Sequence, residues 1–480
     1  MATPIPRNRA RFSLSEIAEA TGGRIVHGDP AMNIEGVTID SRAVQPGNLF
    51  VAIRGESQDG ARFLPQAISS GAHALLVQEG SDYPRNIACI AVSDTTWALG
   101  ELARHHRKRW GKLAVAITGS AGKTTTKELT AAALTGIGKS VLKSLGNLNN
   151  QFGVPMMVFC LSDLHDTAVF EVGTSGRGEI ARLGEIVQPD VAVVLLAALA
   201  HTAGIGTLKD VADEKASLWG SLGTEGVAIV NADDAELNTR VRTDVTTLAF
   251  GRASDADVRL LSSSLSLWGT QAKLEVEGFG ELELSLPLVG HAAALDAAAA
   301  LAVVVALKGV SALPAAVVGL GQVQQTAGRM VPYSTPSGAY VIDDSYNANP
   351  QSSAVSLEAL VALSKNIGGH SIAVLGDMKE LGSDSVREHS RLGELAVRLG
   401  VDVLIGTGPE MAHGTAAAAR LSAGRLAPHP TRVIQLIDPL ETVHVVKSLW
   451  RPGDVVLVKG SRSTGMERVV RALCEEEKRA

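Results

Sequence analysis

The chain has 480 residues, and at about 150 residues per domain this length predicts roughly three domains. Hydrophobic residues make up 45% and charged residues 20%, which excludes long disorder and fibrous architecture, while 4% aromatics beside 49 glycines suit α/β layers better than an aromatic-rich β-sandwich. A net charge of −6 gives no support to a general nucleic-acid-binding surface, so any anionic ligand must be held by a local site.

In chain order, the first block runs over residues 1–112. Ser13 and Glu16 have capping-box spacing and predict a helix over 13–21. Strands are expected at 34–39, 49–52 and 74–77. A helix over 95–110 ends in the run Arg104, His105, His106, Arg107, Lys108 and Arg109, which reads as solvated cations near the negative end of the helix dipole. The second block, 113–328, opens with a buried strand at 113–118, a Gly-rich turn and a helix from Lys123. Strands at 168–172, 190–196 and 227–231 alternate with helices, the pattern of a mainly parallel sheet covered on both faces. Residues 258–286 change to alternation, as in Lys273-Leu-Glu-Val-Glu, and predict antiparallel additions to that sheet. An Ala-rich helix over 292–307 follows. In the third block, 329–480, strands at 340–343, 372–375, 401–405, 433–436 and 455–458 separated by helices predict a doubly wound fold.

The three cysteines, Cys89, Cys160 and Cys474, have no metal-ligand spacing and read as small buried hydrophobes. Arg7, Arg9 and Arg11 are followed by no apolar stretch of a secretory signal. The apolar runs 191–200 and 297–307 fall short of the roughly 20 residues that cross a bilayer. The expectation is a cytoplasmic protein without membrane insertion.

The strongest local signal is Thr118-Gly-Ser-Ala-Gly-Lys-Thr-Thr-Thr126, between a buried strand and a helix. Gly119 and Gly122 permit close backbone approach, and the turn's N–H groups and the helix N-terminus face an anion. Lys123 can reach terminal phosphates, and the Thr124 hydroxyl is placed for Mg²⁺. Ile117 stands where a full P-loop pattern begins with glycine. Glu171 and His201 follow later strands at the carboxyl edge of the sheet, where ligands gather, and are candidate metal ligands. Lys215, on an expected helix over 208–218, reads by itself as a solvated lysine.

That loop, Glu171, His201 and Lys215 do not stand alone. With them come Asp40-Ser-Arg42, Pro46-Gly-Asn-Leu-Phe-Val-Ala-Ile-Arg-Gly55 and Gly146-Asn-Leu-Asn-Asn-Gln-Phe-Gly-Val-Pro155. Later in the chain stand Asp343-Asp-Ser-Tyr-Asn-Ala-Asn-Pro350, Leu375-Gly-Asp-Met-Lys-Glu-Leu-Gly382 and Val458-Lys-Gly-Ser-Arg462. In kind and order, over nearly the whole chain, these segments resemble the Mur ligase family, and within it the branch that adds D-alanyl-D-alanine. The resemblance implies an α/β protein of three domains. A small N-terminal UDP-binding α/β domain would span 1–112. A central P-loop ATPase-like domain, a mainly parallel sheet with antiparallel additions, would span 113–328, and a C-terminal Rossmann-like doubly wound domain 329–480.

The resemblance further implies an ATP-dependent amide ligase of peptidoglycan synthesis, a monomer using ATP and Mg²⁺ to join D-alanyl-D-alanine to UDP-N-acetylmuramoyl-tripeptide. Ser41 and Arg42, with Asp59 nearby, would form the UDP pocket, and Asn149 and Asn150 would touch the nucleotide-sugar. Gly119, Ser120, Ala121, Gly122, Lys123, Thr124 and Thr125 would hold the phosphates of ATP and Mg²⁺, with Glu171 and His201 as metal ligands. Lys215 matches a lysine that is carbamylated in the family and then binds a second Mg²⁺. Arg329 would meet a phosphate, Asp344 the ribose and Asn347 the adenine. Asp377, Lys459 and Arg462 would face the cleft from the C-terminal domain.

Four departures from the family pattern surround the same cleft. Ala292 and Leu295 stand where amides are usual, Thr174-Ser175-Gly176 follows Glu171, residues 195–199 are apolar ahead of His201, and Ser217 replaces a usual Glu. They keep two alternatives open: a ligase of the family with another acceptor, and a nucleotide-binding homologue without turnover.

Overall fold

The structure, a computed structural model, describes residues 3–55, 59–199, 202–424 and 430–475. Among the described residues, three large sheets follow one another along the chain, each drawn from one continuous stretch. The first has five strands in the order Arg24–His27, Ala88–Val92, Ala74–Gln78, Leu49–Val51 and Val37–Thr38, parallel except at the Arg24–His27 edge. The expected strand at 34–39 is split in two. Gly36 has φ +84°, and a Cβ there would lie 2.5 Å from Asn48 Nδ2, so the chain turns at this residue. Asn33–Glu35 pairs antiparallel with Arg11–Ser13, while Val37–Thr38 joins the sheet. The helix Leu14–Thr21 starts at the expected capping box, with Glu16 N donating to Ser13 Oγ at 3.1 Å and Ser13 N donating to Glu16 Oε2 at 2.6 Å.

The second sheet has nine strands in the order Gly280–Leu286, Gly269–Val276, Val258–Ser266, Thr246–Gly251, Val227–Asn231, Val191–Val194, Leu113–Thr118, Thr167–Glu171 and Val141–Lys143. The last three in chain order, at one edge, form antiparallel pairs, as the alternation at 258–286 predicts. The others pair in parallel around Leu113–Thr118, which sends Val115 and Ile117 to one face and Ala114 and Ala116 to the other. The first face is covered by Lys123–Gly136, His291–Lys308 and Leu313–Leu320, the second by Thr95–Trp110, Gly153–Val158 and Glu179–Val187. His291–Lys308 is long and apolar enough to cross a bilayer, but most of it from Ala293 to Val304 lies buried in this core.

The basic run at the end of Thr95–Trp110 is not the uniformly solvated face its composition suggests. His106 and Arg107 are buried, and Arg107 donates to the carbonyls of Val187 at 2.8 Å and Gln188 at 3.0 Å and pairs with Asp190 at 3.2 Å. Those carbonyls end the helix Glu179–Val187, where unpaired C=O groups attract a cation. Cys89 is buried as expected, whereas Cys160 and Cys474 are only half-buried, and all three are free.

The third sheet has six strands in the order Val331–Ser334, Tyr340–Asp344, Val455–Lys459, Ser371–Gly376, Val403–Thr407 and Arg432–Leu436. All pairs are parallel except that of the first strand, an antiparallel edge that contains Pro332 and was not legible as a strand. Pro350–Ile367, Ser385–Leu399 and Met411–Ser422 cover one face, and Glu441–Leu449 and Glu467–Cys474 the other.

Where Lys123–Gly136 crosses Leu313–Leu320, a Cβ on Gly319 would sit 2.2 Å from the Ala132 carbonyl oxygen and 3.0 Å from Gly136 Cα. Gly319→Ala should therefore push these helices apart and cost about 1–3 kcal/mol in denaturant unfolding. A variant as stable as the parent would contradict the close crossing.

Candidate functional site

Register decides which groups meet. Glu171 pairs with Ile117 and Val194 with Thr118, so three neighbouring strands end level and their following loops converge at the carboxyl edge of the nine-stranded sheet. In the middle loop, Gly119 has φ +156° and a Cβ on it would lie 2.9 Å from Leu195 Cβ. Gly122 has φ +82°, and a Cβ there would lie 2.6 Å from Asp296 Oδ1. The helix Lys123–Gly136 then starts from Gly122 with no side-chain cap, leaving its first N–H groups to face an anion.

The loop is held from both sides. Ser120 N donates to the Leu196 carbonyl at 2.9 Å, and Ser120 Oγ donates to Ala198 O and accepts from Ala198 N, each at 3.0 Å. Asn231 Nδ2 donates to Leu195 O at 2.9 Å, and Asp234 Oδ2 accepts from Ala197 N at 2.7 Å. Residues 195–198 thus serve through their main chain, which accounts for their tolerance of apolar side chains.

Charge concentrates at the start of the helix. Lys123 Nζ donates to Gly119 O at 2.6 Å, and burial lowers its pKa, with Glu171 opposing. Thr124 Oγ1 donates to Glu171 Oε2 at 2.9 Å and accepts from Arg329 Nη2 at 3.0 Å. Glu171 is buried, and its other oxygen accepts from Asn149 Nδ2 at 2.8 Å. Lys215 is 1% exposed, and burial first, then Lys123, brings its pKa down to about 7 against the pull of Glu214 and Glu179. It is therefore not the solvated side chain that a lysine alone on a helix suggests. Next to it, Glu214 accepts from Gly178 N at 2.7 Å and Ile180 N at 2.8 Å and so caps the helix Glu179–Val187, while Ser217 Oγ donates to the Glu214 carbonyl.

The third block closes the site. Asn349 Nδ2 donates to Ser120 O at 3.1 Å. Between the two sheets lies a cavity of about 620 Å³, lined by the loop from Ser120 to Thr125 and by Arg329, Asp344, Asn347, Asn349 and Lys459. Asp344 and Lys459 meet each other there, Lys459 Nζ lying 2.6 Å from Asp344 Oδ2 and 3.0 Å from the Asn347 carbonyl. Ala292, Ala293 and Leu295 give the cavity an apolar wall.

Other expected residues lie apart from this cavity or are otherwise engaged. Asp377 is buried, accepts from Met411 N at 2.8 Å and pairs with Lys379 at 2.9 Å. Arg462 lies over the Tyr346 ring. Asn150 Oδ1 accepts from Phe152 N at 3.2 Å and Gly153 N at 2.9 Å, starting the helix Gly153–Val158. In the first block, Ser41 Oγ donates to Gln66 Oε1 at 2.7 Å, the exposed Arg42 pairs with Asp40 at 2.8 Å, and Asp59 caps the turn Gly60–Phe63. His201 lies outside the described residues.

Among the described residues no cluster of three His, Cys, Asp or Glu side chains is present that would hold a metal. The Thr124 hydroxyl and Glu171 carboxylate nonetheless form a pair of hard oxygen donors beside the loop of residues 119–122. This suits Mg²⁺, which takes one or two protein oxygens and completes its shell with phosphate and water.

Asp296 is the residue missed from the sequence. It lines the cavity beside Gly122, and burial pushes its pKa up to about 7 against the pull of Arg329. A single carboxyl inside the alanine run 292–300 was the available signal.

Three family models match the chain. They are the Mur ligase family, catalytic domain, over residues 33–138, the Mur ligase middle domain over 117–304, and the Mur ligase, glutamate ligase domain over 328–462. The UDP-N-acetylmuramoyl-tripeptide--D-alanyl-D-alanine ligase of Escherichia coli (strain K12) is 34% identical over 466 residues, covering 96% of this chain and 98% of that one. The ligase of the same name from Bacillus subtilis (strain 168) is 31% identical, covering 96% and 98%. A crystal structure of MurF from Acinetobacter baumannii superposes with a TM-score of 0.87 at 30% identity, covering 99% of this chain and 100% of that one. The MurF ligase from Thermotoga maritima in complex with ADP gives a TM-score of 0.81 at 29% identity, covering 92% and 98%.

The raised pKa of Asp296 has a testable sign. Between about pH 4 and pH 7 the folded chain keeps a proton that the unfolded chain has released, so stability falls as pH rises through that window. Asp296→Asn removes this loss. Thermal unfolding should show the variant more stable than the parent at pH 8, by on the order of 1 kcal/mol, with the difference gone near pH 4. Equal stability at both pH values would contradict the raised pKa of this carboxyl.

Proposed function

The chain belongs to the Mur ligase family, and we propose that it joins D-alanyl-D-alanine to UDP-N-acetylmuramoyl-tripeptide at the expense of ATP in peptidoglycan synthesis. The observation that carries this reading is the cavity between the phosphate loop and the Asp344–Asn349 stretch, in a chain that aligns with such ligases over nearly its full length. ATP, a UDP-linked substrate and a cytoplasmic setting go together in this reading.

The chemistry follows from the weakness of a carboxylate as an electrophile. A carboxylate oxygen of the tripeptide attacks the γ-phosphorus of ATP and ADP leaves, giving an acyl phosphate. The neutral amine of D-alanyl-D-alanine then attacks the acyl carbon, phosphate leaves, and the amine loses a proton. Two anions must meet in the first step, so the chief tasks are charge compensation and positioning. Lys123 would exchange the Gly119 carbonyl for a phosphate oxygen, and the N–H groups from Gly119 to Thr125, other than that of Ser120, would cradle the phosphates. Arg329, already at the Thr124 hydroxyl, would add a second cation. Thr124 and Glu171, with His201, would hold Mg²⁺, which when bound neutralises phosphate charge. Asp344 and Asn347 would meet ribose and adenine against the apolar wall. Lys459 would act through Asp344, with Asp377 and Arg462 on the acceptor side. Ser41, Arg42 and Asp59 would form the UDP pocket, and Asn149 and Asn150 the approach from the central sheet.

Lys215 suits carbamylation. With a pKa of about 7, much of its amine is unprotonated at neutral pH. Nζ can then add to the carbon of CO₂ and lose a proton, leaving a carbamate anion near the Lys123 cation and able to hold a second Mg²⁺.

Phosphate release should require ATP, Mg²⁺, UDP-N-acetylmuramoyl-tripeptide and D-alanyl-D-alanine together. Steady release with the dipeptide omitted, or none with all four, would contradict the reading. Lys123→Ala should lower kcat by about 100-fold or more in the same assay. With ¹³C-bicarbonate, NMR should show a carbamate resonance in the parent that is missing from Lys215→Ala, a variant without turnover. Wild-type turnover in Lys215→Ala would end the carbamate role.

A further inference from the structure

Tyr346 has two guanidinium groups over its ring at the junction of the second and third blocks. The Arg329 guanidinium carbon is 4.4 Å from the ring centroid and that of Arg462 is 5.1 Å away. The backbone meets at the same point, where Tyr346 N donates to the Gly328 carbonyl at 3.0 Å. Gly328 has φ +75°, and a Cβ on it would lie 3.0 Å from Tyr346 Cβ, so the ring's own stem fills the place that a side chain would need.

Arg329 spans from this ring to the loop. Its Nη2 reaches Thr124 Oγ1 at 3.0 Å, a bond between residues 205 positions apart, while its Nε is buried without a hydrogen-bond partner among the described residues. A guanidinium on a long stem has many rotamers, and one hydrogen bond fixes its tip only loosely. The aromatic face limits the plane in which the group can lie and attracts its charge. Arg462 comes from the turn after Val455–Lys459 and occupies the same ring, so Tyr346 joins the third sheet to the group that reaches the phosphate loop.

We propose that Tyr346 is a positioning residue for the nucleotide: by stacking with Arg329 it aims that guanidinium at the phosphate loop, and so makes the loop's cation set complete only when the third block is docked. This rests on the ATP-dependent ligase reading. The π face, not the phenol hydroxyl, is what the argument requires, which sets the choice of variants.

Tyr346→Phe keeps the face, and Tyr346→Leu keeps an apolar side chain without it. ADP affinity measured by calorimetry is the primary readout, since it needs no turnover, with the KM for ATP and kcat measured alongside. The expected result is a Phe variant within about twofold of the parent and a Leu variant about 10-fold weaker for ADP and about 10-fold higher in KM for ATP. In an Arg329→Ala background, Tyr346→Leu should cause no further loss, because the guanidinium that the ring aims at the phosphate loop is then absent and Arg462, on the same ring, does not reach that loop in its place. Equal ADP affinity in the parent and Tyr346→Leu, a Phe variant as weak as Leu, or the same loss in the Arg329→Ala background would each overturn the proposal. A parent that binds ADP but never turns over would instead contradict the ligase reading.

Discussion

One hydroxyl ties the site together. Thr124 Oγ1 has a single proton, which it donates to Glu171, and its lone pairs accept from Arg329, so the first turn of the helix after the phosphate loop is bound to a neighbouring strand and to the third block at once. A second bond, from Asn349 to the Ser120 carbonyl, repeats this link one turn of loop earlier. The carboxyl edges of two sheets are thereby turned toward each other, and the cavity lies between them. This constraint depends on the glycines at 119 and 122, because a side chain at either would collide with Leu195 or Asp296 and push the loop away from Glu171.

The electrostatic arrangement follows from that geometry. Lys123 and Arg329 meet the buried Glu171, and Lys215 lies within reach of Lys123, an excess of potential positive charge that, with burial, lowers the pKa of both lysines. Such a site gains when an anion enters, and a polyphosphate is an anion of suitable charge and reach. The floor beneath it is rigid. Lys127 is almost fully buried, donates to the Ser144 carbonyl at 2.8 Å and pairs with Glu128 at 2.9 Å, while Ser144 Oγ accepts from the backbone N–H of Glu171 at 3.0 Å. Lys127 and Ser144 thus hold the strand end that presents the carboxylate.

What the sequence revealed and what it hid have physical causes. The strand Leu113–Thr118 and the helix beginning at Lys123 are legible because burial on both sheet faces makes an apolar run and the tight loop between them needs glycine in fixed places. The helix Thr95–Trp110 is legible in extent, yet the burial of Arg107 is not, since its partners are carbonyls some 80 residues away in another helix. Arg24–His27 and Val331–Ser334 are short edge strands, too brief to show a period. The pairing of Asp344 with Lys459 spans 115 positions and appears only when Tyr340–Asp344 lies beside Val455–Lys459. Lys215 shows the same limit: a lysine on a helix looks solvated until the fold buries it next to Lys123.

The account turns on a polyphosphate lying along the backbone from Gly119 to Thr124. A crystal structure with ADP and Mg²⁺ tests this most directly. The prediction is a β-phosphate against the N–H groups of residues 121–124, with Lys123 Nζ moved from the Gly119 carbonyl to a phosphate oxygen. ADP bound elsewhere, with Lys123 still on Gly119, would contradict it.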